Sequence, residues 1–259
     1  MEKPIKLDLT DRIAKVTLNR PRHYNAFDRD MVIELSERLT EIGRDPGLIG
    51  VILTGEGKAF CAGGDLRSLS EFAKSPGDAF HALAARYHQA IIEIRRMPKP
   101  VIAALNGPAA GGGFSLALAC DFRIMDSSAT LRQAYTSNGL SIDGGGTFTL
   151  TRLVGMAKAL EIAALDRPIS SKLALKLGLV TEVVPDGQAV SRAAELIGEI
   201  NNRPLSSFSA SKFLINDSFN TSLETQLERE REFLSRCADQ PNGIEEIKAF
   251  LEKRRPQFL

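Results

Sequence analysis

Residues 106–120 read NGPAAGGGFSLALAC, and their reading decides the fold class. A short apolar run, Val101–Leu105, leads into Asn106 and Pro108. Three consecutive glycines follow, then small and apolar residues up to Cys120 that suit a buried helix. A buried strand, a glycine turn and a helix make one unit of an α/β chain. The interval Pro100–Cys120 carries no charge and is long enough to raise the question of a membrane span. Asn106, Pro108 and Gly111–Gly113 interrupt it, so strand–loop–helix is the expectation. Residues 58–66, KAFCAGGDL, repeat the design: Leu48–Thr54 reads as a buried strand, a loop runs from Gly55 to Gly64, and Asp65 opens a helix.

The flanks extend the pattern. Ile5–Leu9 and Ile13–Leu18 alternate at period 2 around Asp11 and Arg12, which predicts a hairpin. Asp28 can cap a helix over 30–43, where Met31, Leu35, Leu39 and Ile42 recur at helical spacing. A helix over 78–96 stops before Met97-Pro98 and is followed by Val101–Leu105. A strand at Phe122–Met125 and a glycine-rich loop, Gly139–Gly146, complete the middle. Beyond 150 the pattern is helical around one strand at Val180–Val184, closing with helices over 204–218, 221–238 and 241–254. The expected division is a core over 1–200 and a helical region over 201–259.

Composition narrows the function. The chain has 259 residues, 43% of them hydrophobic, enough to bury a substantial core. Lys and Arg total 33 against 32 Asp and Glu, a balance that argues against a phosphate-backbone binder and so against nucleic acid. The opening MEKPIKLDLTDR lacks a signal-peptide apolar region, and three cysteines suit a reducing cytoplasm. The three histidines show no metal-ligand spacing, and HExxH, CxxC, GxSxG and GxxxxGK[ST] are all missing. No metal is expected.

The two glycine loops share a chemical capacity. A helix N-terminus offers unpaired N–H groups and the positive end of its dipole. Glycine admits a ligand atom close to the backbone. Two such termini converging make an oxyanion hole, but spacing alone does not show that they meet.

Five ordered segments, LNRPRHYNAF (18–27), KAFCAGGDL (58–66), NGPAAGGGFSLALACD (106–121), GLSIDGGGTFTLTRLVG (139–155) and AFLEKRRPQF (249–258), resemble the crotonase, or enoyl-CoA hydratase/isomerase, superfamily. The resemblance implies an α/β fold, a spiral of ββα units with a helical C-terminal trimerisation region. It implies a homotrimer or dimer of trimers, without a membrane partner. The ligand it implies is an acyl-CoA thioester, with coenzyme A as part of the substrate and no separate cofactor. Carried over by position, the oxyanion donors are the N–H groups of Gly64 and Gly112, with Gly111 beside the second. Arg22, Ala62, Asp65, Leu66 and Arg67 match positions along the CoA moiety. Phe250 and Lys253 match C-terminal residues that reach CoA bound to a neighbouring subunit. The acyl pocket is expected to draw partly on residues 68–90.

The resemblance also bears on the reaction. Family hydratases hold a water between two glutamates, at positions that correspond here to Ser115 and Tyr135. Neither residue serves as a carboxylate base near neutral pH, so hydration is disfavoured. Asp143 matches an active-site aspartate of several branches, and the motif spelling is most similar to the 1,2-epoxyphenylacetyl-CoA isomerase branch. An isomerase with Asp143 as proton shuttle is therefore expected. A hydratase, a hydrolase or dehalogenase using Asp143, and a non-catalytic acyl-CoA-binding subunit are the alternatives. Tyr135 is expected to bond Asp143 or shape the acyl pocket, and Leu140, Ile142 and Phe148 to wall the aspartate.

Overall fold

The computed structural model describes residues 3–71 and 75–258. β1 (Ile5–Thr10) and β2 (Ile13–Leu18) pair antiparallel, Thr10 opposite Ile13. Asp11 and Arg12 both take positive φ in the turn between them, at 50° and 65°. Both residues in the left-handed region is the two-residue hairpin geometry that matches strand twist. α1 (Arg29–Arg44) follows, its first turn capped by Asp28, whose carboxylate accepts the Met31 N–H at 2.9 Å.

The main sheet then grows by parallel additions: β3 (Gly50–Gly55), β4 (Val101–Leu105), β6 (Phe122–Asp126) and β9 (Glu182–Val184), in spatial order β1-β2-β3-β4-β6-β9. β3 and β4 are buried on both faces, as a parallel sheet covered by helices requires. Their alternate residues serve two cores. Val51, Leu53, Val101 and Ala103 face α1 and α3 (Pro76–Arg96), with Met31, Leu35 and Ile94 in the same cluster. Ile52, Ile102 and Ile124 face the opposite way, against Ala189, Ala193 and Ile197 of α7 (Ala189–Asn201).

A second, small sheet was not expected. β5 (Ala109–Ala110), β7 (Thr130–Arg132) and β8 (Ile169–Ser170) pair in the order β5-β7-β8. It sits beside α4 (Gly112–Ala119), buried along its whole length, and links the second glycine loop to the segment that leads to Tyr135. α2 (Leu66–Glu71), α5 (Gly146–Leu165) and α6 (Ser171–Lys176) complete the core, and α8 (Leu205–Asp217), α9 (Leu223–Ala238) and α10 (Pro241–Leu251) close the chain. α10 stops three residues short of the expected end, since Lys253 turns to φ 54°. α8 is tied to the core through Lys212. Its ammonium donates to the Ile94 carbonyl (2.9 Å) and to Asp121 (2.7 Å).

Candidate active site

The two glycine loops meet. Cys61 and Ala109 form a parallel bridge, and Ala110 N–H donates to the Cys61 carbonyl at 2.9 Å. The fit leaves no room for side chains. A Cβ on Gly113 would lie 2.2 Å from the Cys61 oxygen, and one on Gly63, at φ 92°, would lie 2.9 Å from the Gly112 nitrogen. The first loop is held from behind by Phe27, whose N–H donates to the Gly63 carbonyl (2.6 Å) and whose carbonyl accepts from Asp65 N–H (2.8 Å). Both of these bonds bypass the Gly64 N–H. Gly112 opens α4, so its N–H has no partner within the helix. Among the described residues, neither N–H donates to another backbone group.

Both glycines line one cavity of about 250 Å³. Its walls are apolar at Phe27, Phe80, Leu83, Leu140 and Ile142, and polar at Tyr135 and Asp143. Tyr87, buried, donates its O–H to the Gly112 carbonyl at 2.6 Å and so fixes the start of α4. Of the interval 68–90, Phe80, His81, Leu83, Ala84 and Tyr87 line this cavity, and residues 72–74 lie outside the described residues.

Ser115 and Tyr135 stand together, their hydroxyl oxygens 3.4 Å apart. Burial raises the Tyr135 phenol well above its ordinary pKa, so it stays protonated. The Ser115 hydroxyl and the nearby Asp143 main-chain N–H offset only part of that effect. The Asp143 carboxylate instead meets His88 of α3, with Nε2 to Oδ1 at 2.6 Å. Its side chain is 38% exposed, so it faces both the cavity and water. Leu140 and Ile142 wall the cavity as expected, but Phe148 does not: its ring stacks against Arg95 and Arg152.

The remaining candidates scatter. Asp65 is engaged in the scaffold: it pairs with Arg20 at 2.8 Å and accepts the Ser68 N–H at 3.3 Å, capping α2. Burial opposes its charge, but the Arg20 guanidinium and the Ser68 N–H outweigh that and hold its carboxyl below the usual range. Gly111 lies behind the cavity, donating its N–H to the Arg132 carbonyl. Arg22, in the turn at Pro21–His23, and Ala62, Leu66 and Arg67, in and just after the first loop, are exposed, and none of them lines the cavity. Phe250 is 79% exposed on α10, and neither it nor Lys253 lines the cavity. Cys61 is inert: burial pushes its thiol up to about 12.

His88 and His81 were not anticipated. A usable signal existed: His81, Ala84 and His88 recur at helical spacing beside the buried stripe Leu83, Tyr87 and Ile91. Among the described residues no cluster suits a metal ion, and no helix is long and apolar enough to cross a membrane.

Gly64, Gly112 and one carboxylate, Asp143, thus line the same small cavity. The enoyl-CoA hydratase/isomerase family model matches residues 8–259, and the chain belongs to that family. It is 34% identical to 1,2-epoxyphenylacetyl-CoA isomerase of Escherichia coli K12, over 95% of this chain and 94% of that protein. It is 30% identical to 4-chlorobenzoyl coenzyme A dehalogenase-2 of an Arthrobacter species, over 96% and 91% of the two chains. The crystal structure of an enoyl-CoA hydratase from Polaromonas sp. JS666 superposes with a TM-score of 0.93 at 38% identity, covering 98% of this chain and 99% of the other. The crotonase fold follows from these likenesses.

Proposed function

We propose that this enzyme is an acyl-CoA isomerase that works through a thioester enolate. The observation that carries the reading is the charge inventory of the cavity. Asp143 is its one carboxylate among the described lining residues, while Ser115 and Tyr135 occupy the positions where the family resemblance places two glutamates. In this reading the thioester oxygen accepts hydrogen bonds from Gly64 and Gly112, and each such donor is worth about 3 kcal/mol in the transition state. Asp143 takes a proton from the carbon next to the thioester or its vinylogue, and the electron pair moves onto the oxygen. The same carboxyl returns the proton at the other end of the dienolate, so no water enters and none leaves. His88 orients Asp143 through the 2.6 Å contact. The product is a shifted double bond or a rearranged ring epoxide, and the assembly is a homotrimer or dimer of trimers. Exposed apolar side chains such as Met156, Leu234, Phe250 and Leu251 support a further subunit contact.

One observation favours a second reading. An aspartate paired with a histidine and half open to water suits carboxylate attack followed by hydrolysis, or direct activation of water. Incubating 2-enoyl-, 3-enoyl- and epoxy-aryl-CoA thioesters separately in deuterated water and in ¹⁸O-water distinguishes the two. The isomerase reading expects deuterium at carbon without ¹⁸O in the product, lost at least 100-fold in Asp143→Asn with CoA-ester binding retained. Incorporation of ¹⁸O at the turnover rate, or equal exchange by Asp143→Asn, refutes it.

A further inference from the structure

A second cavity, of about 410 Å³, shares no lining residue with the first. Its walls are largely apolar, from Leu118, Phe122, Leu153, Phe208, Ile215 and Phe219. Four cations and one carboxylate also line it. Two of the cations are committed. Arg123 donates to the carbonyls of Leu179 and Cys120, both at 2.6 Å. Lys212 takes Asp121 at 2.7 Å, and Asp121 also accepts the Val101 N–H at 2.8 Å.

Arg95 and Arg152 are left. Both stack on the Phe148 ring, their guanidinium carbons 4.9 and 3.3 Å from its centroid, and Arg152 also lies 4.8 Å from that of Phe219. Their hydrogen bonds go to main-chain carbonyls only: Arg152 to Phe148 at 2.9 Å, Arg95 to Asn216 at a long 3.4 Å. Among the described residues neither forms an ion pair with a carboxylate. Burial and the neighbouring Arg152 charge lower the Arg95 pKa from its ordinary value, and the more distant Asp121 charge offsets only part of this. Two like charges held on one ring, with donors to spare, suit a bidentate anion. The apolar wall beside them suits a hydrocarbon body, and the volume falls within the range of small-molecule sites.

We propose that this cavity binds an amphiphilic carboxylate, such as a fatty or arylalkanoic acid anion, with its head between Arg95 and Arg152. The experiment is calorimetric titration of the full chain with octanoate, against octanol (the same tail without charge) and inorganic phosphate (charge without a tail). Octanoate is expected to bind wild type and Asp143→Asn alike, and at least tenfold more weakly to Arg152→Gln and Arg95→Gln. Octanol and phosphate are expected to bind wild type at least tenfold more weakly than octanoate. Circular dichroism establishes that each variant folds, and the exposed Arg152 makes its replacement a mild one. Equal octanoate binding by wild type and Arg152→Gln overturns the proposal, as does octanol binding as well as octanoate. An Arg152→Gln variant that loses its subunit assembly overturns it too, since the guanidiniums would then serve a carboxylate of a second copy.

Discussion

Replacing Gly113 by alanine puts the meeting of the two loops under direct load. The new Cβ would stand 2.2 Å from the Cys61 oxygen, 2.7 Å from its Cβ and 2.8 Å from its carbonyl carbon. The obstacles are main-chain atoms and a buried side chain, so no flexible end can swing aside. Restoring an ordinary contact requires the backbones to part by roughly 1 Å, in a close-packed interior that resists such motion. Overpacking of this kind costs about 1–3 kcal/mol, partly offset by roughly 1 kcal/mol from alanine's better helix propensity. The effect on rate is expected to be larger. Gly113 adjoins Gly112, Cys61 lies three residues before Gly64, and a misplacement of about 1 Å in a catalytic group costs on the order of 100-fold. The assay is α-proton exchange from a bound acyl-CoA in deuterated water, with thermal unfolding in parallel. The expected outcome is a folded protein whose exchange rate falls roughly 100- to 1000-fold, the worth of one lost oxyanion donor. Gly198→Ala, in α7 with no atom within 4 Å of the added carbon, is the control and leaves the rate unchanged. A folded Gly113→Ala protein that exchanges within twofold of wild type refutes the claim that loop contact sets the donor geometry.

Two further outcomes follow from the buried charges. Lys212 and Asp121 are each pushed towards neutrality by burial, against their mutual attraction, so removing one partner strands the other. Lys212→Met is expected to cost about 3–5 kcal/mol in urea unfolding, and Lys212→Met/Asp121→Asn less than the sum of the single changes; additivity would contradict the pairing. Asp65, with its carboxyl held below the usual range, contributes stability that is present above its unfolded pKa of about 3.9 and is lost as pH falls through the lower folded value. The difference in unfolding temperature between wild type and Asp65→Asn is therefore expected to be constant above about pH 5 and to shrink in more acid solution. A gap that widens on acidification would reverse the assigned sign.

What the chain discloses before folding depends on how far apart the interacting parts lie. The hairpin, α1, β3 and β4 are legible because burial imposes a period on neighbouring residues, and each reads that period locally. β5, β7 and β8 are not, because strands of two or three residues are too short to carry one. The glycine loops announce themselves as helix starts, yet their meeting depends on Cys61 and Ala109, which are unremarkable residues 48 positions apart. Asp65 shows where a local reading stops. An acid beside a glycine loop reads the same whether it faces a ligand or Arg20, and only the fold brings Arg20 to it. Phe148 is a different case, since Arg152 stands four positions on in the same helix. That (i, i+4) spacing already offered a stacking partner away from the cavity. His88 needed both kinds of information. Helical spacing places it on the face that carries His81 and Ala84, but its meeting with Asp143 spans 55 residues. It exists because α3 packs against α4 through the Tyr87–Gly112 bond, one residue away. The chemistry of the site thus rests on a helix whose own pattern reads only as packing.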